Sequence, residues 1–367
     1  MSRKSAQQNR SASESAPAFP FTAIVGQEEM KLALMLNVID PHIGGVVIMG
    51  HRGTAKSTAV RSLADLLPPI TKVTDCPFSC DPALISGLCS DCAGRRARNK
   101  TLPREQAPIP VVDLPLGASE DRICGTLDIE AALAEGVKAF EPGLLARANR
   151  GFLYIDEVNL LDDHLVDVLL DSAASGWNVV EREGISVSHP SKFVLVGSGN
   201  PEEGELRPQL LDRFGLFTQV HTITDIDRRV DIIERRDDFE RDPAAFARRF
   251  RQEQLRLRRR LVGARKALGN VEVDRSLLRK IAELCVALGV DGHRGELTIT
   301  RSARALAALD GREQVAVSDV RAVAVLSLRH RLRKDPLESI DSGVRIEQAL
   351  EDILSRNISG KRLSAII

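Results

Sequence analysis

The chain has 367 residues with 51 basic and 51 acidic side chains, a balance that gives no net pull toward nucleic acid or an anionic membrane. Its length suggests two domains, and no apolar run approaches the length of a membrane span. Residues 1–18 are polar, Ser-rich and, Met1 aside, free of large apolar side chains, which predicts a disordered tail without the apolar core of a secretory signal, on a cytoplasmic protein.

From about Phe19 to Thr224, strand-like apolar runs alternate with helical patterns, which predicts a mostly parallel sheet covered by helices. The first strong strand, Val46-Val47-Ile48-Met49, runs into Gly50-His51-Arg52-Gly53-Thr54-Ala55-Lys56-Ser57. A strand that ends in a Gly-rich turn and opens a helix points backbone N–H groups and the positive helix end at one spot, suited to a triphosphate. Lys56 would reach the β- and γ-phosphates of ATP and the Ser57 hydroxyl would ligate Mg²⁺. Ala55 stands where a P-loop carries glycine before its lysine. If that position demands φ > 0, the alanine costs on the order of 1 kcal/mol or more; if not, little is lost.

Between Cys76 and Cys92 the chain carries Cys76, Cys80, Cys89 and Cys92 in a C-x3-C-x8-C-x2-C spacing. Four thiolates so close could close a tetrahedral Zn²⁺ site or hold an iron–sulfur cluster, with free or redox-active thiols as the competing reading. In a reducing cytoplasm disulfides are the weaker expectation. Cys124 and Cys285 stand alone and read as buried small apolar residues.

The next strand signal, Gly151-Phe152-Leu153-Tyr154-Ile155-Asp156-Glu157, is an apolar run that ends in two acids, the way a buried parallel strand delivers carboxylates to a sheet edge. Asp156 would complete the Mg²⁺ shell and Glu157 would polarise the attacking water. A third strand, Phe193-Val194-Leu195-Val196-Gly197-Ser198-Gly199-Asn200, places Asn200 to orient that water. Polar groups at the C-terminal ends of three apolar strands fit the rule for ligand sites in open α/β sheets. Trp177 to Val187 reads as two alternating runs around Glu183-Gly184, a hairpin signal. Beyond about Asp225 the patterns are helical, with Ser302–Leu309 ending near Gly311. Arg248 to Lys266 holds nine basic residues and one acid, Glu253, which reads first as a solvated helix face and second as a docking face for an acidic partner.

These features together resemble the AAA+ ATPases. Longer strings narrow the likeness: IVGQEEMKLAL from Ile24, FEPGLLARANRGFLYIDEVNLLDDHLVDVLLDSAASGWNVVEREG from Phe140, GSGNPEEGELRPQLLDRFG from Gly197 and LRHRLRKDPLESIDSG from Leu328 resemble the ATPase I subunit family of magnesium chelatase. That enzyme inserts Mg²⁺ into protoporphyrin IX on the way to chlorophylls and bacteriochlorophylls. The resemblance implies an AAA+ α/β nucleotide domain over 19–224, with the cysteine-rich insertion at 76–92, and linker helices plus an all-helical lid over 225–367. It implies that the stretch containing Val25 contacts adenine and that Arg213 is an arginine finger supplied to a neighbouring subunit. Arg294 would be a lid arginine touching the nucleotide, and two segments, around Pro115–Gly143 and Trp177–Val187, would be hairpin insertions facing a pore or partner. The family's members form homo-oligomeric hexameric rings that work with a second AAA+-like subunit and a large catalytic porphyrin-binding subunit. The location implied is the cytoplasm, or the plastid stroma in a eukaryote. The Ala-Lys-Ser version of the loop and the four cysteines also resemble a cobalt-chelatase branch for corrin rings, and a protein-remodelling AAA+ chaperone shares the core. A nucleic-acid-directed AAA+ protein is disfavoured by the neutral charge and scarce aromatics.

Overall fold

The computed structural model describes residues 17–98, 100–127, 140–182, 185–204, 206–332 and 341–354. The expected tail falls almost wholly outside these residues, as do most of the KDPLESID stretch and the Glu183-Gly184 turn.

Five parallel strands form the central sheet: β1 (Val46–Gly50), β4 (Val111–Leu114), β7 (Phe152–Ile155), β10 (Val194–Gly199) and β11 (Leu216–Val220), in the order β11-β1-β10-β7-β4. β1, β7 and β10 are buried at every position, which explains why they read as unbroken apolar runs and not as alternating ones. Successive side chains leave on opposite faces. Val46 and Ile48 pack on one side with Phe152, Tyr154 and the helices α1 (Glu28–Ile39) and α2 (Lys56–Leu66). Val47 and Met49 pack on the other with Leu153, Ile155, Leu195 and α6 (Asp163–Ser175).

Three antiparallel pairs decorate this sheet. β2 (Ile70–Val73) pairs with β3 (Arg104–Ala107), and the cysteine segment with α3 (Ser90–Ala97) is inserted between them. β5 (Gly125–Leu127), which follows α4 (Glu120–Cys124), pairs with β6 (Phe140–Pro142), ahead of α5 (Leu144–Ala148). The residues between them, where Asp128 to Glu130 were read as part of a hairpin insertion, lie outside the described ones. β8 (Trp177–Arg182) pairs with β9 (Ile185–Pro190) in the register that a two-residue connection at Glu183-Gly184 demands, and it is three residues longer than the alternation alone suggested. Trp177 is half-buried at its base.

After α7 (Pro208–Arg213) and β11 the chain is helical: α8 (Ile226–Arg241), α9 (Pro243–Ala267), α10 (Arg275–Ala287), α11 (Arg294–Leu309), α12 (Val317–Leu328) and α13 (Ser342–Leu354). α9 carries the Arg-rich stretch, whose basic residues are exposed as a solvated face requires, Arg258 being half-buried. Leu261 and Ala264 are buried, and Arg258 donates to the carbonyls of Leu66 and Leu67 at the end of α2, satisfying groups a helix C-terminus leaves orphaned. The last helices lock onto the sheet through Arg331, which is buried and donates to the Phe214 carbonyl at 2.8 Å and to the Asp212 carboxylate. No helix among the described residues is long and apolar enough to cross a membrane.

Candidate nucleotide site

The C-terminal ends of β1, β7 and β10 open into a cavity of about 870 Å³. β1 and β11 approach so closely that a Cβ on Gly50 would lie 2.6 Å from the Val220 carbonyl oxygen, so the strand must end in glycine before the loop turns. Gly53 (φ +78°) and Ala55 (φ +62°, ψ +23°) then take left-handed conformations, and Ala55 forms the N-cap position of α2. The position therefore does demand φ > 0, and the alanine sits there under strain that glycine would not feel. Thr54 Oγ1 donates to the His51 carbonyl at 2.8 Å, and Lys56 Nζ donates to the carbonyls of Gly50 and His51, the latter at 3.0 Å. Burial pushes the Lys56 ammonium below its ordinary pKa, and the Asp156 carboxylate works against that shift.

Asp156 and Glu157 follow the last residue of β7, facing this loop across the cavity. The Asp156 Oδ1 accepts from Ser198 Oγ at 2.5 Å, Ser198 Oγ in turn accepts from Tyr154 OH at 2.9 Å, and the phenol oxygen lies 3.2 Å from the same carboxylate oxygen. Burial raises the Tyr154 pKa, so the phenol stays a donor. Glu157 sits at φ +55°, ψ +53°, a second strained non-glycine residue in the same site. Its Oε1 pairs with Arg52 at 2.9 Å, and Arg52 also meets Glu203 at 2.6 Å; these carboxylates, Glu203 foremost, raise the guanidinium's pKa. Asn200, almost fully buried, accepts from the Glu202 N–H at 3.3 Å.

Gly53, Thr54, Ala55, Lys56 and Ser57 line one side of the cavity; Asp156, Glu157 and Asn200 line the opposing strand ends; Val25 lines a third side, beside Gln27. Gly50 lies beneath the loop and contributes its carbonyl to Lys56. Arg213 and Arg294 are not among the cavity's lining residues. Arg213 pairs within its own chain, with Asp167 at 3.0 Å and Asp171 at 3.1 Å on α6. Arg294 pairs at 2.7 Å with Asp212, the carboxylate that also holds Arg331. The four cysteines of the insertion come together away from the cavity, while Cys124 and Cys285 are buried apart from them.

Four cavity features escaped the sequence. Ser198 and Tyr154 were visible in principle, because strand alternation puts Tyr154 on the face of Asp156 and the β7–β10 pairing of Ile155 with Gly197 sets Ser198 beside it. Arg52 lay inside the loop motif but its partners are remote in sequence. The wall formed by α8, through Arg229, Ile232, Ile233 and Arg236, had no signal beyond helical periodicity.

A hydroxyl and a carboxylate facing a lysine at a helix N-terminus form a donor set that suits a triphosphate with its Mg²⁺, hard oxygen ligands for a hard cation. The sheet order, the loop and the helical lid define a P-loop protein of the AAA+ class. The profile of "Magnesium chelatase, subunit ChlI" matches residues 127–209 and that of "AAA lid domain" matches residues 278–353. The magnesium-chelatase subunit ChlI of Mesostigma viride is 61% identical over 341 residues, covering 93% of this chain and 94% of that one. The magnesium-chelatase 38 kDa subunit of Chlorobaculum tepidum is 60% identical over 344 residues, covering 93% and 87%. This chain belongs to the ChlI subunit family of magnesium chelatase. A solved complex between subunits BchI and BchD of magnesium chelatase contains a chain 52% identical to it, covering 90% of this chain and 99% of that one with a TM-score of 0.53. A crystal structure from Cytophaga hutchinsonii, 18% identical with a TM-score of 0.59 over 90% and 91% of the two chains, shares the fold.

Proposed function

We propose that this chain is the ATP-hydrolysing motor subunit of magnesium chelatase, and that it drives partner subunits that insert Mg²⁺ into protoporphyrin IX for chlorophyll or bacteriochlorophyll synthesis. The observation that carries the reading is the single cavity in which Lys56, Ser57, Asp156, Glu157 and Asn200 converge, in a chain about 60% identical to magnesium-chelatase subunits along most of its length. Lys56 holds the β- and γ-phosphates, with the N–H groups of the loop around it. Ser57 and Asp156 would hold the nucleotide's Mg²⁺, which supplies charge neutralisation on the phosphates. Ser198 and Tyr154 fix the Asp156 carboxylate in one orientation for that task. Glu157 polarises the attacking water and Asn200 orients it. Val25 contacts the adenine side of the ligand.

Arg213 lies outside its own subunit's cavity, half-exposed at the end of α7 and held there by Asp167 and Asp171, which supports a finger offered to the next copy in a hexameric ring. Arg294 is the lid's sensing arginine, and its pairing with Asp212, the neighbour of Arg213, ties lid position to the finger. The ring works with a second AAA+-like subunit, of which the BchI–BchD complex is the analogue, and with a large porphyrin-binding subunit that holds the catalytic chemistry. Two plant relatives are chloroplastic proteins, and the site of action proposed here is the cytoplasm, or the stroma where a plastid is present. Magnesium is favoured over cobalt by the relatives, and the Ala55 substitution and the cysteine segment concern the phosphate loop and a separate insertion.

Turnover per subunit should rise with protein concentration as rings assemble. The Arg213→Ala chain should be inactive alone and partly active when mixed with wild-type subunits. Turnover per subunit that stays constant on dilution to monomer would refute the shared site.

A further inference from the structure

The four cysteines of the insertion lie in a geometry that has nothing to do with the nucleotide cavity. Cys76 follows β2, Cys80 follows the left-handed residue Ser79 (φ +49°), Cys89 is the N-cap residue of α3 and Cys92 lies in its first turn. Their Sγ atoms all fall within 4.8 Å of one another, and Cys76 and Cys89 are 3.8 Å apart. With metal–sulfur bonds of about 2.3 Å, the edge of a tetrahedral thiolate site is about 3.8 Å. A disulfide needs sulfurs about 2.05 Å apart and would use them in pairs, whereas here all four converge. An iron–sulfur cluster interposes several iron and sulfide atoms among its cysteines and needs them spread more widely than around one ion.

The surroundings fit a structural ion. All four cysteines are buried, and the backbone N–H of Cys89 donates to the Cys80 sulfur at 3.2 Å, the kind of contact that orients a thiolate ligand. Among the described residues, the apolar ones packed with them are Val73, Leu88, Leu102 and Phe78, a core too small to order a segment of this length alone. Arg95 pairs with Asp75 at 3.0 Å and Asp91 at 3.4 Å, and Arg96 donates to the Pro82 carbonyl at 2.7 Å, contacts that tie α3 to the chain on both sides of Cys76 and Cys80.

The segment is also docked on the part of the molecule that carries the long hairpin. The Phe78 ring stacks on His189 of β9 with centroids 4.7 Å apart, and its carbonyl accepts from Asn149 at 2.7 Å. Arg150 reaches the Thr71 carbonyl at 2.5 Å and Asp81 at 2.8 Å, immediately before β7 begins.

We propose that Cys76, Cys80, Cys89 and Cys92 bind one Zn²⁺ as four thiolates, and that this ion fixes the 74–103 insertion against the β8–β9 hairpin through Phe78. The site is closed, with no position for substrate, so its role is structural. It is independent of the nucleotide reading, since none of these residues lines the cavity.

The test is elemental analysis of the full chain purified without chelator. About one zinc per chain is expected, retained in a Cys124→Ser, Cys285→Ser variant and lost in Cys80→Ser and Cys92→Ser. Because those last variants could fail to fold, the wild-type chain provides the second measurement: Co²⁺ exchanged into it should give intense thiolate-to-cobalt charge transfer and tetrahedral d–d bands. Chelation should lower the denaturation midpoint and raise proteolysis within 74–103. A chain free of metal with four native thiols that react freely, stoichiometric iron, or octahedral cobalt spectra would each overturn the proposal.

Discussion

Ala55 sits at φ +62°, ψ +23°, in the loop proposed to hold the phosphates, so its replacement by glycine tests the backbone reading of the site at one atom's cost. A left-handed conformation costs an L-residue about 1–2 kcal/mol. Glycine removes that strain but gives the unfolded chain more freedom, which returns about 0.4–1 kcal/mol. The net expectation for Ala55→Gly is therefore a gain of about 0.5–1 kcal/mol. The methyl removed belongs to a partly exposed residue, so only a small part of the gain is offset by lost contact. The same reasoning gives the opposite sign for Ala55→Val, because a β-branched residue tolerates φ > 0 worse than alanine does. Urea denaturation of the three proteins, compared at constant m-value, measures the difference directly. ATP affinity should change little, since the loop keeps one conformation. Equal or lower stability of the glycine variant, or a valine variant as stable as wild type, would refute the assignment of strain to this position.

Glu157→Gln should leave ATP bound and slow hydrolysis by about 100-fold or more, because the amide keeps its size and its contact with Arg52 but no longer draws a proton from water; normal turnover in that variant would remove Glu157 from the chemistry. His330 supplies a pH test. It is half-buried, its ring stacked on Phe217 and its Nε2 3.1 Å from the Phe214 carbonyl, and desolvation, with the Arg331 charge beside it, pushes it down to about 3 from an ordinary 6.5, so it stays neutral in the folded chain. Its contribution to stability is present above about pH 6.5 and is lost as pH falls toward 3, because the unfolded chain takes up a proton that the folded one refuses. His330→Phe should flatten the fall in urea midpoint across that window, and an unchanged slope would show that other groups dominate acid unfolding.

The strands that build the site announced themselves because they are buried on both faces. Val46–Met49, Phe152–Ile155 and Val194–Val196 carry no alternation to confuse with a surface strand; the first runs into the glycine-rich loop and the other two lead to the polar residues Asp156, Ser198 and Asn200 that line the cavity. The helical C-terminal part was visible through its helical periodicity. What stayed hidden depends on pairings distant in the chain. β2 and β3 are short and half-exposed, and they meet only across the cysteine insertion. Arg213 and Arg294 were legible as arginines of a known pattern, but their partners on α6 and α7 follow from helix packing that no local spacing encodes. Ala55 shows the limit most plainly. The letter in the sequence departs from the loop pattern, while the sign of its effect depends on a dihedral angle that only three-dimensional structure supplies.

The central claim is that ATP used at this cavity powers metal insertion carried out by partners. Its most direct test is Mg²⁺ insertion into protoporphyrin IX by the purified partner subunits, with and without this chain and ATP. The account predicts Mg-porphyrin only when this chain, ATP and the partners are all present, and none with Glu157→Gln in place of the wild type. Mg-porphyrin formed without this chain, or no product despite ATP hydrolysis by the complete mixture, would contradict it.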